Sequence, residues 1–275
     1  AALGDTDDCY FDTRRADGVV AHPLFPVCVE WPAIVAGRDV ADRWGITPAE
    51  TRRSVHATHD LHVHRLVRPG DRLATSLTCT GVQRRRPGAY STTRLDTVDA
   101  DGRPVATTYQ GGLYLGVETT GDDRPDADAP ALPTESPTAR PPSGVRAEVA
   151  VPVAHGAAHT YTESARIWNP IHTDAAVADA AGLPAVILHG TATLALGVSA
   201  VVREVADGRP ELVRRVCGRF GAMVLMPSTV TVRIHDAVAL DGDGGGAAGR
   251  RIVRFEVLTE GGGPAVDDGV VVLDG

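Results

Sequence analysis

The residues that could do chemistry are concentrated between Tyr161 and Thr193, in YTESARIWNPIHTDAAVADAAGLPAVILHGTAT. Asn169-Pro170 is a helix-start pair. An Asn side chain can cap an orphan N–H, and Pro fits the first helical position because no N–H is needed there. His172 then falls in the first turn. Ile171, Ala175, Ala178 and Ala181 follow at helical spacing, and Gly182, with Pro184 just beyond, is the stop. A second helical pattern (Leu194, Val198, Val201, Val202) opens after His189-Gly190 and runs to Gly208. Gly190 therefore presents an unpaired N–H at the positive end of a helix. An imidazole on one helix start facing a bare amide on another suits a reaction that builds negative charge on a carbonyl oxygen. The imidazole moves the proton and the amide holds the oxyanion.

The elements that must position these groups can be read along the chain. Residues 19–37 form an apolar segment ending at Gly37, residues 40–53 a surface helix or turn-rich loop, and residues around 56–67 alternate as a strand broken at Pro69-Gly70-Asp71. Asp101-Gly102 joins two further strands as a hairpin. Residues 119–146 are rich in Pro, Asp, Ser and Thr and read as a linker between residues 1–118 and 147–275. The second half repeats the order of the first. Val20-Ala21-His22-Pro23 stands where Ile187-Leu188-His189-Gly190 stands later, and each apolar helix is followed by a meander of strands. The expected fold is α+β, an antiparallel sheet wrapped on a helix, twice.

Composition removes several function classes. The 275 residues are 43% apolar, enough for a full core, and carry a net charge of −8. An acidic chain lacks the basic face that nucleic acid requires. The Arg84-Arg85-Arg86 run precedes Pro87-Gly88 and reads as a solvated hairpin flank. No apolar run is long enough to span a membrane, and the first residues do not read as a signal peptide. Four scattered cysteines fit a reduced, cytoplasmic setting. All 27 basic residues are Arg, a bias of GC-rich coding that suggests a bacterial gene.

The segment N-P-I-H-T-D through G-L-P to L-H-G resembles the hydratase-2 motif of MaoC-like (R)-specific enoyl-thioester hydratases and dehydratases. The N-terminal half resembles the same family through AHPLFPVCVEWP and VHRLVRPGDRL. The resemblance implies a double hot-dog: two antiparallel sheets, each around a central helix, forming a pseudo-dimer in one chain. It implies reversible addition or elimination of water at C2–C3 of an acyl thioester on coenzyme A or a carrier protein. It also implies a catalytic His172, a turn-shaping Asn169 and a Gly190 N–H serving as oxyanion donor. His189, Thr191, Tyr161 and Ile167 would line the substrate site. No metal or other cofactor is implied, and a homodimer of double hot-dogs is expected. The N-terminal half would shape the acyl tunnel, since Pro23 offers no N–H.

The most important departure from the family pattern S-G-D-x-N-P falls on its aspartate. Where the pattern has its catalytic aspartate, two residues before the asparagine, stands Ile167. Isoleucine can neither hold a water nor move a proton. Three readings follow: hydration on His172 alone, a one-base reaction such as isomerisation, cyclisation or thioester hydrolysis, or acyl binding without turnover. Tyr161 and Glu163, read on a strand or turn before the motif, are the nearest replacements for the carboxylate. Asp174 reads as a partner of the first-turn helix dipole. His56, His59, His62 and His64 suggest a metal only superficially, because just two of them share a strand face. No serine lies in a nucleophile-elbow pattern.

Overall fold

The computed structural model describes residues 1–134, 144–240 and 249–275. Its helices are α1 (Asp8–Phe11), α2 (Pro26–Asp39), α3 (Pro48–Thr51), α4 (Ala157–Ala165), α5 (Ala175–Ala180) and α6 (Gly190–Val205). Its strands are β1 (Ser54–Val63), β2 (Leu73–Arg85), β3 (Gly88–Asp99), β4 (Pro104–Leu115) and β5 (Val145–Val153), then β6 (Val213–Phe220), β7 (Ser228–His235), β8 (Val238–Ala239), β9 (Arg251–Leu258) and β10 (Pro264–Leu273).

All the strands join one antiparallel sheet in the order β2-β3-β4-β1-β6-β10-β9-β7-β5, with β8 beside β9. The first four strands belong to the first half and the rest to the second. The halves meet where β1 pairs with β6, from Thr58 opposite Arg219 to His62 opposite Arg215. Helix α2 packs on β2 and β3, and α6 packs on β9, β10, β6 and β7. A single core cluster contains Leu24, Val27 and Leu61 of the first half with Leu194, Val216 and Phe255 of the second. Two helix-on-sheet layers thus share one hydrophobic interior.

The helices follow from local chemistry. In α6 every residue from Ala192 to Val202 is buried, a run of apolar and small side chains. Helix α2 starts at Pro26, and Pro23 lies in the turn before it, where the Phe25 N–H donates to the His22 carbonyl at 2.8 Å. Neither proline has an N–H to offer. The turns fall at Pro69-Gly70-Asp71, Asp101-Gly102 and Glu260 to Gly263, and Gly102 is left-handed at φ 77°.

The expected linker, 119–146, is only partly within the described residues. Residues 135–143 lie outside them, and Val145 and Arg146 already belong to β5. Residues 123–126 run along the outer edge of β2. Arg124 and Val82 exchange backbone hydrogen bonds of 2.8 Å, and Asp123 accepts the Arg84 N–H at 2.8 Å. This segment covers an edge strand that would otherwise expose a row of unpaired groups. No described helix is long and apolar enough to cross a membrane.

Candidate active site

The site is assembled by three consecutive pieces that close over the start of α6. The first is α4, whose Ala158, Tyr161, Thr162 and Ala165 form a buried stripe. Their spacing is helical, so Tyr161 and Glu163 lie on a helix rather than on the strand or turn their alternation suggested. Helix α4 ends at Arg166 in the left-handed region (φ 56°), and the Ile167 N–H turns back to the Thr162 carbonyl at 3.2 Å. Arg166 thus occupies, with a full side chain, the position at which the S-G-D-x-N-P pattern has glycine.

The second piece is the Asn169 turn, which is not the continuous helix expected. Pro170–His172 is a single turn of 3₁₀ helix, the chain breaks at Thr173, and α5 begins afresh at Ala175. Asn169 makes no side-chain cap; its backbone carbonyl accepts the His172 N–H at 3.1 Å. The capping residue is Asp174, whose carboxylate accepts from Ala176 and Val177 N–H at 2.9 and 3.2 Å. Helix α5 stops as expected at Gly182, left-handed at φ 75°.

The third piece is Ile187–Gly190, which runs beside Val224–Leu225 into α6. It gathers the side chains. The His172 Nδ1–H donates to the Ile187 carbonyl at 2.8 Å, which leaves Nε2 as the unprotonated nitrogen. Burial holds the His172 pKa below the ordinary imidazole value, partly offset by this bond. Its ring stacks on that of His189, with centroids 3.7 Å apart and planes 24° from parallel.

His189 turns Nε2 towards the Thr162 hydroxyl at 3.2 Å and the Ile167 carbonyl at 3.4 Å. A carbonyl only accepts, so Nε2 carries the proton. Burial and the neighbouring His172 depress its pKa to about 3, so His189 stays neutral. Tyr161 lies 5.0 Å from His189 and donates its hydroxyl to Thr191 Oγ1 at 3.1 Å.

Gly190, Thr191 and Ala192 open α6 with N–H groups that precede its first main-chain bond, from Thr193 N–H to the His189 carbonyl at 3.0 Å. Gly190 also lies against an aromatic ring: a Cβ there would stand 3.1 Å from Phe220. Close packing therefore calls for glycine at this position independently of any role for its N–H.

Of the sequence candidates, His172, His189, Tyr161, Thr191 and Gly190 are brought together. Ile167 contributes its carbonyl to the cluster, while its side chain is 6% exposed and belongs to the apolar core. Glu163 points outward and accepts from Trp168 Nε1 at 3.4 Å, so it does not replace the missing carboxylate. Among the described residues no carboxylate hydrogen-bonds to His172. The four-histidine stretch divides: His56 and His59 are turned inward, whereas His64 lies beyond the end of β1. No group of three metal-ligating side chains forms among the described residues.

One arrangement that sequence reasoning missed has the residue types of a hydrolytic triad. Ser199 Oγ donates to Asp5 at 2.7 Å and lies 3.2 Å from His22 Nε2. However, His22 Nδ1 accepts the Leu24 N–H at 3.1 Å, so Nε2 must carry the proton and cannot act as base towards Ser199. With Arg203 also bonded to Asp5 at 3.0 Å, the group fastens the N-terminal segment to α6.

Both halves of the chain are similar to known proteins. Residues 137–243 match the family model of the MaoC-like domain, and residues 1–108 match that of the FAS1-like dehydratase domain region. Peroxisomal enoyl-CoA hydratase 2 of Arabidopsis thaliana is 38% identical over 63 residues, 23% of this chain and 20% of that protein. Peroxisomal multifunctional enzyme type 2 of Drosophila melanogaster is 30% identical over 145 residues, 53% of this chain and 23% of that protein. The matches thus span about a fifth of the length of these relatives. A MaoC-like dehydratase structure from Phytophthora capsici superposes with a TM-score of 0.74 at 20% identity, covering 99% of this chain and 89% of that one. A conserved hypothetical protein from Mycobacterium tuberculosis with a double hot-dog fold gives 0.57 at 21%, covering 99% and 87%. These structural likenesses establish the fold.

Proposed function

The chain joins a FAS1-like dehydratase region to a MaoC-like domain in one double hot-dog, and from that premise we propose that it is a hydro-lyase acting on acyl thioesters. The reaction is reversible water addition at C2–C3 of a 2-enoyl thioester carried by coenzyme A or a carrier protein. The observation that carries this reading is the His172 tautomer. With Nδ1–H fixed on Ile187, Nε2 is a buried, neutral base beside the open start of α6.

In the elimination direction, Nε2 of His172 takes the proton from C2. The thioester oxygen gains negative charge and is held by the Gly190 N–H, aided by the N-terminal field of α6. The hydroxyl leaves C3 as water with the proton His172 gained, so one imidazole serves both transfers. Such a proton needs no metal or redox group, since the thioester carbonyl already acidifies it. The acidic charge of the chain and the relatives' names accord with a small thioester rather than nucleic acid as the partner.

The apolar burial of Ile167 favours a second reading, a one-base isomerisation or cyclisation of a related thioester. Incubation with crotonyl-CoA decides between them. Loss of enoyl absorbance with a 3-hydroxyacyl product, reduced ~10²–10⁴-fold in His172→Ala, is the expected result. A rearranged or cyclic product without water uptake would establish the second reading, and binding without any product would refute both.

A further inference from the structure

The inner face of the first half is polar where an alkyl chain would call for apolar walls. On α2, Glu30 is 1% exposed and accepts the Thr108 hydroxyl of β4 at 2.5 Å. Two residues further along the same face, Gln110 stands opposite His59 of β1. His59 is 2% exposed, and neither of its ring nitrogens has a hydrogen-bond partner among the described residues. The His56 ring lies edge-on to it at 5.4 Å. His56 donates through Nε2 to the Thr58 carbonyl at 3.0 Å, and its ring stands 4.6 Å from Phe220. Phe220 is the ring on which Gly190 packs. A row of polar groups from the first half, with Glu30, Thr108 and His59 buried and His56 partly so, therefore leads to the amide proposed to hold the thioester oxygen.

A buried imidazole that bonds nothing is costly, and Leu or Phe would fill the same place without that cost. Burial keeps both imidazoles neutral, each with one donor and one acceptor nitrogen, which together match a hydroxyl or carbonyl oxygen. We propose that His59, with Glu30, Thr108 and His56 beside it, recognises an oxygen on the acyl chain beyond C3. The preferred substrate is then an oxygenated enoyl thioester rather than a plain fatty one. This inference rests on the hydro-lyase reading for the placement of the chain.

The test compares octanoyl-CoA with analogues bearing one hydroxyl at each carbon beyond C3. Dissociation constants are measured by calorimetry, and kcat/KM is measured on the corresponding enoyl thioesters. A site built to bond an oxygen rejects the analogue lacking it, so at least one hydroxylated chain should bind the unmodified protein about tenfold or more tightly than the plain chain. His59→Leu, which keeps an apolar side chain in the space, should bring that ratio near one without lowering kcat on the plain enoyl chain. Thr108→Val should reduce it in part. No preference for any hydroxylated chain, or a preference that survives His59→Leu, overturns the inference. A tenfold binding preference without water addition would instead refute the hydro-lyase reading and leave the recognition of the oxygen standing.

Discussion

The imidazole of His172 lies flat on that of His189, ring centres 3.7 Å apart. The two reach this arrangement from different elements, one from a 3₁₀ turn and one from the residue that precedes α6. Both are buried, and a stacked buried pair cannot carry two charges. His189 is the one held neutral, at about 3, with its Nε2–H turned to the Thr162 hydroxyl and the Ile167 carbonyl. That leaves His172 as the one to cycle its proton in the proposed reaction.

The pH dependence of turnover follows from the sign of that shift. The base must be neutral to act, and burial lowers the His172 pKa from 6.5. The acid limb of kcat/KM is therefore expected below the ordinary imidazole range, with a plateau through neutral pH. A limb at or above 6.5 would show that His172 is not buried as described.

Acid stability is governed by further buried imidazoles. The pKa of His22 is lowered to about 3, that of His56 to about 4, that of His189 to about 3, and that of His59 well below 6.5. Each contributes stability that is complete above the unfolded value and is lost as pH falls from there towards the folded value. Glu30, raised to about 7 by burial, acts oppositely: its contribution is present below 4.5 and fades as pH rises through about 7. Between the folded and unfolded values these histidines outnumber Glu30, so the unfolded chain binds more protons than the native one and stability falls on acidification. Urea midpoints across this range should fall steeply on acidification, and a flat profile would contradict the buried, neutral state of these groups.

The seam between the halves has its own charge pair. Arg215 of β6 forks onto Asp60 of β1 at 2.6 and 2.7 Å, with both side chains largely buried. Asp60→Ala leaves the guanidinium without this carboxylate at the strand pair that joins the two halves of the sheet. A loss of about 3 kcal/mol is expected by chemical denaturation. A change under about 0.5 kcal/mol would mean the pair is solvated, as surface pairs are.

Arg166 is a full side chain in a left-handed cap at φ 56°. Arg166→Gly should stabilise the fold by about 1 kcal/mol, read as a raised melting temperature, because glycine adopts this conformation without steric cost. A lower melting temperature would show that the arginine makes a contact outweighing the strain.

The parts of this protein legible in its sequence were those set by local pattern. The stripe from Leu194 to Val202, the turn glycines and the hairpin at Asp101-Gly102 fall where periodicity and turn chemistry put them. The motif turn was harder. Asn169 and Asp174 are equally good caps by type, and the chain uses the second because a 3₁₀ turn intervenes. Helix α4 was hidden by its Tyr-Thr-Glu alternation, although Ala158, Tyr161, Thr162 and Ala165 carry the helical spacing. The buried row of Glu30, Thr108 and His59 was not legible at all. It arises when α2 packs on the sheet and β1 pairs with β6, relations between residues far apart in the chain.

In the proposed reaction the Gly190 N–H and the His172 imidazole act on one thioester. Gly190→Ala and Gly190→Pro both add a Cβ against Phe220, but only proline removes the N–H. Proline suits the first helical position, and His189 at ψ 136° already has the backbone that precedes proline comfortably. The ratio of kcat/KM for crotonyl-CoA hydration between these two variants, both folded, is the most direct measurement. The proline variant should be slower than the alanine variant by ~10²–10³-fold; equal rates would remove the Gly190 N–H from the reaction.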